Sequence, residues 1–449
     1  MAIRFDASLP TFTAILADRF GSEMLSRIAV IRDASGRLSA VLPEPVDSDT
    51  LDAVTTEIHQ KLESYARSDS VIRDSNAVGA QRLLEEATKA PPMMVNGVVI
   101  RLLDRRFVGP DWLRPPAPTV AGIPRIVFAS LKGGVGRSTA LCVMAAHLSR
   151  RGRRVLVVDF DLEAPGLGTM LLNQDELPEY GVLDYLVENG LSGTDSGFIA
   201  DMAGGSFLGS EGGRVTVIPA IGKVTFDNPS GALSKIARAY LDKLLSNGVA
   251  ATLSDQLRTM IEKLEETGAF DVVLVDARAG LHETTPAAIL GLGAEVLLFG
   301  TDQPQTFLGY RLLMSHLSRF PADVDDDWRE RLNFVHAKAS ENEDVRARAR
   351  ERFSSLYDII APSSQQGDQG IEPLTADDFD VYWDENSDEE IDGGFAAPPI
   401  LHVLDDSRYR DFDPIADRTL LSSKACAVTY ESLLDYIERV VFGSEAKSP

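Results

Sequence analysis

A glycine-rich loop between a strand-like run and a helix-like run constrains this chain more than any other feature. The sequence reads RIVFAS, then LKGGVGRST, then ALCVMAAHLSRR with helical spacing. Gly133, Gly134 and Gly136 lack a Cβ, so the backbone around Val135 can curl tightly and point its N–H groups at phosphate oxygens. The helix that follows offers the positive end of its dipole. The pattern predicts a phosphate-binding loop, and a triphosphate tail suits it best.

Two hydroxyl residues complete this loop. Ser138 occupies the position from which a phosphate-loop hydroxyl reaches Mg²⁺, and Thr139 is the next expected phosphate contact. The alternative interpretation is a glycine-rich turn beside a basic helix. The flanking strand and helix favour the phosphate loop.

The loop resembles the deviant phosphate loop of the ParA/MinD class of P-loop ATPases, which reads K-G-G-x-G-K-S/T-S/T. Lys132 matches the extra early lysine of that class. The resemblance implies ATP and Mg²⁺ as ligands. It also implies that Lys132 reaches across a nucleotide-sandwich dimer to the partner's phosphates and takes part in catalysis, so that ATP joins two subunits.

Two positions depart from the class. Arg137 replaces the usual P-loop lysine, and Leu131 stands where glycine is frequent. Arginine is planar, always charged and able to make two parallel bonds to phosphate, but it is bulkier than lysine. We therefore expect Arg137 to bind phosphate and to act in catalysis, with ATP binding kept and the hydrolysis rate open.

A pair of acids follows the next buried strand in RRVLVVDFDLEAPGLG. Asp159 and Asp161 stand at its carboxyl end, where an open parallel sheet presents ligands. The resemblance to the class's D-x-D motif assigns Asp161 to catalysis, Asp159 to the Mg²⁺ shell, and a conformational change to the segment at Pro165 and Gly166. The alternative is that both acids only cap the segment that follows.

A second acidic motif ends the strand in AFDVVLVDARAGLHETT. Asp276 resembles the Walker B acid, which holds Mg²⁺ through water. The class continues D-x-P-x-G, whereas this chain keeps Gly280 and places Arg278 at the proline position. Arg278 could contact phosphate, pair with an acid or report to a partner, and the ion pair is favoured.

Two later strands complete the expected site. In EVLLFGTDQPQTFLGY, residues 303–306 form the expected turn into a helix. In NFVHAKAS, His336 lies where the class often has an asparagine at the adenine edge. His336 is thus a candidate base contact, and a purely structural histidine is the equal alternative.

The chain of 449 residues is long enough for two or three domains. A hairpin around residues 35–36 and a helix in DTLDAVTTEIHQKLESYA indicate a small α/β domain over residues 1–112. The Pro-rich residues 113–124 indicate a linker or a crossing strap. Alternating strand-like and helical runs then predict a doubly wound, mostly parallel α/β core over residues 125–449, with an acidic excursion at about 363–396 and a closing helix over 427–441.

Composition narrows the classes of function. The formal charge of −24 repels polyanions at long range, which disfavours binding of DNA by the whole surface. No stretch approaches the length of a membrane span and no export signal is evident, so we expect a cytoplasmic protein that does not bind membranes. Cys142 and Cys426 provide neither a disulfide framework nor paired metal thiols, and both are expected to be buried.

Other features separate the subfamilies that share this loop. The ending YESLLDYIERVVF carries acids at helical spacing, which indicates packing on the protein instead of a basic membrane helix. Tyr430 and Tyr436 look like ordinary helix residues, which leaves tyrosine-kinase activity a minor possibility. The arginines of VRARARERF are spaced by two and spread over both faces of a helix, so a solvated helix is favoured over a DNA-binding stripe.

The preferred function is therefore an ATP-dependent dimerising switch that hydrolyses Mg-ATP slowly and presents one surface to a partner protein. The main alternative is a non-hydrolysing ATP-sensing scaffold of a prokaryotic multi-protein system, such as a defence or positioning machinery. A DNA-segregation ATPase is a third possibility. The partner and the role of residues 1–112 stay open.

Overall fold

The chain is described by a computed structural model. It covers residues 3–443 except residues 107, 190, 210–211, 245–249, 324 and 362–394. The described chain divides into two compact units. The smaller contains residues 3–113 with Arg319–Pro321, and the larger contains Arg114–Ser318, 322–361 and 395–443. The predicted acidic excursion, apart from its last two residues, lies outside the described residues.

Where the structure describes it, the smaller unit is a five-stranded mixed sheet with three α-helices. Its helices are α1 (Phe5–Leu25), α2 (Ser48–Leu62) and α3 (Ala80–Lys89), and its strands are β1 (Ala29–Arg32), β2 (Leu38–Val41), β3 (Ile72–Arg73), β4 (Pro92–Val95) and β5 (Val98–Asp104). The strand order is β3-β2-β1-β5-β4. Strands β1 and β2 are antiparallel, which confirms the predicted hairpin, and Gly36 lies in its turn with φ 88°.

The described residues of the larger unit form ten strands. They are β6 (Arg125–Ser130), β7 (Arg154–Asp159), β8 (Gly204–Gly205), β9 (Arg214–Ile218), β10 (Lys243–Leu244), β11 (Ala250–Ala251), β12 (Val272–Asp276), β13 (Glu295–Gly300), β14 (Leu332–Ala339) and β15 (Leu401–Leu404). Eight of them, among the described residues, form one sheet in the order β15-β14-β13-β6-β12-β7-β9-β8. Strand β8 pairs antiparallel with β9, and the other pairings in this sheet are parallel.

Helices cover this sheet. They are α4 (Arg137–Arg150), α5 (Leu167–Leu171), α6 (Val182–Glu188), α7 (Ser196–Ala200), α8 (Lys223–Asp227), α9 (Ala232–Ala239), α10 (Leu253–Glu265), α11 (Thr284–Ile289), α12 (Pro304–Leu317), α13 (Glu343–Ser354), α14 (Ser423–Cys426) and α15 (Glu431–Phe442). Short 3₁₀ helices of the larger unit lie at Gln174–Glu176, Pro229–Gly231, Trp328–Arg331, Tyr357–Ile359, Ser407–Tyr409 and Arg418–Leu421, and those of the smaller unit lie at Glu63–Tyr65 and Pro110–Leu113. The predicted doubly wound, mostly parallel α/β architecture with a smaller amino-terminal α/β unit is confirmed.

The apolar strands are the reason for this arrangement. Strands β6, β7 and β12 consist almost entirely of buried residues, because helices exclude water from both faces of a parallel sheet. Parallel pairing also brings their carboxyl ends to one edge of the sheet. Asp159 and Asp276 are register partners at that edge, so the two predicted acidic motifs meet there.

The carboxyl-terminal helix packs on the protein, as predicted. Leu433, Tyr436 and Ile437 of α15 are buried in the same core as α4. The predicted start of this helix at residue 427 is wrong, since α15 begins at Glu431 and a separate short helix, α14, precedes it. The carbonyl of Thr429 accepts the backbone N–H of Leu404 at 3.0 Å, which ties that residue to β15.

Within residues 3–443, leaving out the undescribed positions, no helix is both long enough and apolar enough to cross a membrane. Both cysteines are buried free thiols, as expected. No group of three or more His, Cys, Asp or Glu side chains in the described residues is arranged to hold a metal ion unaided.

Candidate nucleotide-binding site

The glycine-rich loop has the backbone that a phosphate cradle requires. It joins the end of β6 at Ser130 to the start of α4 at Arg137. Gly134 and Gly136 have φ values of 73° and 89°, in the left-handed region that glycine adopts without strain. A Cβ built on Gly133, Gly134 or Gly136 would meet no atom within 4 Å, so the space above the loop is open to a ligand.

Two apolar contacts fix this loop on the protein. Val135 is 6% exposed and belongs to the core of the larger unit. Leu131 packs against Gly309 of α12, where an added Cβ would lie 2.7 Å from Leu131 Cδ1. The unusual leucine at the first loop position is thus accommodated by a glycine on the neighbouring helix.

The side chains at the start of α4 converge on the end of β12. Arg137 Nε donates to one oxygen of Asp276, and Ser138 Oγ donates to the other at 2.6 Å. Arg137 also lies 3.8 Å from Asp161 and 3.3 Å from Ser130 Oγ. The sequence-predicted residues Arg137, Ser138, Asp161 and Asp276 therefore form one cluster beside the loop.

Asp159 organises the segment that follows β7. Its Oδ1 accepts the backbone N–H of Asp161 at 2.9 Å, and its Oδ2 accepts those of Gly166 and Leu167 at 3.2 and 3.1 Å. Asp161 Oδ1 accepts the N–H of Ala164 at 3.1 Å. The capping interpretation of both acids is thus seen in the geometry, while their catalytic and metal roles stay predictions.

Burial dominates the electrostatics of this edge. Asp159 and Asp276 are 1% and 2% exposed, and burial raises the pKa of both carboxyl groups. The neighbouring Asp276 raises the pKa of Asp159 further, whereas Arg137 and Ser138 act in the opposite direction on Asp276. Burial also raises the pKa of the Cys142 thiol in α4, with these two acids adding to the effect. The site has more buried negative charge than its own cations balance.

The remaining predicted residues lie around this cluster. Lys132 is exposed, and its Nζ donates to Gln303 Oε1 at 3.4 Å, next to the start of α12. His336 lies inside β14, in register with Gly300 of β13 and with its ring 5.7 Å from that of Phe353. Burial lowers the pKa of His336. Its contacts are those of a core histidine, and a base contact stays a prediction.

The residues present fit ATP and Mg²⁺. The open glycine backbone and the first turn of α4 supply N–H donors for phosphate oxygens. A hydroxyl and two carboxylates, from Ser138, Asp276 and Asp159, are the hard oxygen ligands that Mg²⁺ prefers, and this ion normally takes its other ligands from water and phosphate.

Sequence reasoning missed one group of residues next to this cluster. Glu163, two positions after Asp161, binds Arg278, Tyr240 and His282. The pairing of Arg278 with an acid was the favoured alternative, but its partner was not foreseen. Only the closeness of Glu163 to the D-x-D motif could have drawn attention to it.

Strand, glycine loop and helix, with acids at the ends of the adjacent strands, define a P-loop nucleotide-binding domain. Residues 126–275 match the family model described as the CobQ/CobB/MinD/ParA nucleotide binding domain. The predicted ParA/MinD-type P-loop domain is thereby confirmed.

Individual relatives are more distant or match only in part. A stretch of 41 residues is 51% identical to the chromosome-partitioning ATPase Soj of Thermus thermophilus, and it spans 9% of this chain and 16% of that protein. A ParA family ATPase from Chlorobium tepidum aligns with a TM-score of 0.43 at 14% identity, over 70% of this chain and 98% of its own. The MinD cell division protein of Aquifex aeolicus aligns with a TM-score of 0.41 at 15% identity, over 73% and 98%.

Proposed function

We propose that this chain is a Mg-ATP-dependent switch that forms a homodimer around ATP, hydrolyses it slowly and presents one surface to a partner protein. The proposal rests mainly on the contacts that the loop makes with the carboxylate at the end of β12. There Arg137 and Ser138, the two side chains of the loop with phosphate and metal chemistry, are both bound to Asp276.

Binding of a triphosphate would use the loop backbone first. The N–H groups around Val135 enclose the β-phosphate, and the start of α4 adds its dipole. Arg137 then exchanges Asp276 for a phosphate oxygen, because a guanidinium can make two parallel charge-assisted bonds to phosphate. The exchange leaves Asp276 free to act toward the metal.

Magnesium would sit beside Ser138, with Asp276 and Asp159 as its nearest acids. When bound, Mg²⁺ neutralises charge on the terminal phosphates. The hydroxyl of Ser138 already points at Asp276, and both carboxylates are buried, so their positions are fixed before the ligand arrives. Such preorganisation lowers the cost of forming the complex.

Hydrolysis would depend on Asp161. This carboxylate is 8% exposed and lies 3.8 Å from Arg137. In the proposed reaction it orients the attacking water. Lys132, exposed on the loop, would contact the phosphates bound by the second subunit.

A second candidate function is a non-hydrolysing ATP sensor that acts as a scaffold in a prokaryotic multi-protein system. The ion pairing of Arg137 favours it, because this one cation holds Asp276 and faces Asp161, the two acids that hydrolysis would use. DNA segregation is less favoured. In α13, Arg346 and Arg350 bind Glu343, so their charge is already partly balanced.

Phosphate release in a single turnover tests the enzymatic proposal. We expect slow Mg²⁺-dependent release from the parent protein and a loss of about 100-fold in Asp161→Ala, with ATP affinity retained. Asp195→Ala serves as the control, because it removes the side-chain cap of α7 and lies outside the phosphate loop and the two acidic motifs. No release from the parent, despite measurable ATP binding, would favour the sensor.

Light scattering tests the dimer. The mass of the parent should double with Mg-ATP, and Lys132→Ala should bind ATP yet stay monomeric. A parent mass that does not respond to ATP would reject the dimer. The proposal also includes a partner protein and a cytoplasmic location.

A further inference from the structure

An ion pair joins the segments that follow β7 and β12, and it lies outside the cluster that Arg137, Ser138, Asp161 and Asp276 form beside the loop. Arg278 Nη1 lies 2.5 Å from Glu163 Oε2. Because Asp159 and Asp276 are register partners, Asp161 and Arg278 each stand two residues beyond the end of neighbouring strands. The pair therefore connects the two acidic motifs directly.

Glu163 is held by more than one donor. Tyr240 Oη donates to its Oε1 at 3.0 Å, and His282 Nε2 lies 3.2 Å from the same oxygen. Arg278 is also 3.0 Å from His282 Nε2, and the rings of Tyr240 and His282 meet edge to face at 5.4 Å. Burial alone would raise the pKa of Glu163, but the bonds from Arg278 and Tyr240 outweigh it and lower that pKa.

The turn that carries Glu163 also carries Asp161. Asp161 Oδ1 accepts the N–H of Ala164, so the direction of this carboxylate depends on the backbone of residues 161–164. Fixing the side chain of Glu163 fixes that backbone. On the other side, Gly280 N donates to Ser130 O at 2.9 Å, which ties the Arg278 segment to the end of β6.

We propose that Arg278 is a positioning residue, which through Glu163 holds the Asp161 turn in place beside the phosphate loop. Arg278 acts at a distance from the phosphates and makes no bond to the nucleotide. This role rests on the proposed ATP hydrolysis, and it assigns a task to the arginine that stands at the proline position of the D-x-P-x-G pattern.

Steady-state kinetics of Arg278→Ala test the role. We expect kcat to fall about tenfold with KM for ATP changed less than about twofold, because a misplaced Asp161 affects the reaction more than binding. The swapped pair Glu163→Arg with Arg278→Glu should recover most of the lost kcat. A rise in KM at unchanged kcat would mean that Arg278 binds the nucleotide itself, and it would overturn the proposal.

The matched control lies at the opposite end of the same strands. Arg154 at the start of β7 pairs with Asp271, just before β12, at 2.6 Å. Arg154→Ala breaks a comparable ion pair far from the loop and should leave kcat unchanged. Equal losses in Arg154→Ala and Arg278→Ala would show that Arg278 is only structural.

A second measurement needs no hydrolysis. In the nucleotide-free protein, hydrogen exchange at the amides of Ala164, Gly166 and Leu167 reports the bonds that these groups make to Asp161 and Asp159. Arg278→Ala should speed this exchange about tenfold, and Arg154→Ala should not. Unchanged exchange would overturn the positioning role even if the parent hydrolyses ATP, whereas a parent without hydrolysis but with this effect would reject the ATPase proposal alone.

Discussion

The two ends of the central strands hold their charges differently. At the amino ends, each arginine has its own acid, since Arg125 pairs with Glu265 at 2.5 Å and Arg154 with Asp271 at 2.6 Å. At the carboxyl ends, two buried acids, Asp161 and Asp276, share one arginine, Arg137, and a third buried acid, Asp159, accepts backbone N–H groups.

This difference indicates that the two ends of the sheet have different tasks. The ion pairs at the amino ends serve stability, and the acids at the carboxyl ends serve function. At the amino ends each arginine is neutralised by its own carboxylate, so no ion from solution is needed to balance the charge. An excess of buried carboxylates costs free energy unless a cation or a proton joins them, and this is seen in the raised pKa values of Asp159 and Asp276. The carboxyl edge is thus suited to a ligand that brings positive charge, as Mg²⁺ does.

The largest expected effect comes from removing Arg137, the arginine that Asp161 and Asp276 share. Arg137→Ala should lower the free energy of unfolding of the ligand-free protein by about 3 kcal/mol, because it leaves buried acids without their cation. Urea denaturation at pH 8 measures it, with Arg137→Lys as the variant that keeps the charge. A loss no greater than that of Arg154→Ala would erase the contrast between the two ends.

The next largest effect is the stabilisation of the folded protein by bound Mg-ATP. At a free Mg-ATP concentration one hundredfold above its dissociation constant, the free energy of unfolding should rise by about 2.7 kcal/mol. Most of that gain should disappear when EDTA replaces Mg²⁺, because ATP alone adds negative charge to the carboxyl end. Equal stabilisation by ATP with and without metal would contradict the inferred need for a cation.

A smaller effect follows from the hydroxyl at the start of α4. Ser138→Ala should weaken Mg-ATP binding about tenfold, or about 1.4 kcal/mol, through loss of a hydroxyl next to the metal and to Asp276. Calorimetry with and without Mg²⁺ measures it. Ser149→Ala at the other end of α4, where the hydroxyl donates to Leu208 O, should leave the metal dependence as in the parent.

The smallest effect on stability is expected at the amino ends of the strands, where Arg154 pairs with Asp271. Arg154→Ala should lower the free energy of unfolding less than any other substitution named here, since its ion pair is partly exposed and solvent screens it. This loss in the free energy of unfolding should become smaller at about 0.5 M salt, because salt screens an exposed ion pair. The affinity for ATP should not change. An altered affinity would mean that the two ends of the sheet are coupled.

Much of the fold followed from local sequence. Strands such as β6, β7 and β12 are short apolar runs with no polar interruption, and helix α12 begins at Pro304 after Gln303, where the turn was expected. The antiparallel edge strand β8 was missed, because Gly204–Gly205 carries no side-chain pattern from which pairing can be read.

The site was predictable where a motif keeps residues close in sequence. The loop and the acids of β7 and β12 were named beforehand, and parallel pairing brings them together. The partners of Glu163 could not be found this way, because Tyr240 and His282 lie 77 and 119 positions further on, and pairing over such distances depends on tertiary packing.

The contact between Leu131 and Gly309 has a consequence for how this sequence can change. A methyl group at position 309 needs space that the leucine fills, since it would lie 2.7 Å from Leu131 Cδ1. Substitutions at the two positions are therefore expected to follow an order during evolution, with the leucine becoming smaller before the glycine becomes larger. Homologues should show this as paired variation between one residue of the loop and one of the neighbouring helix.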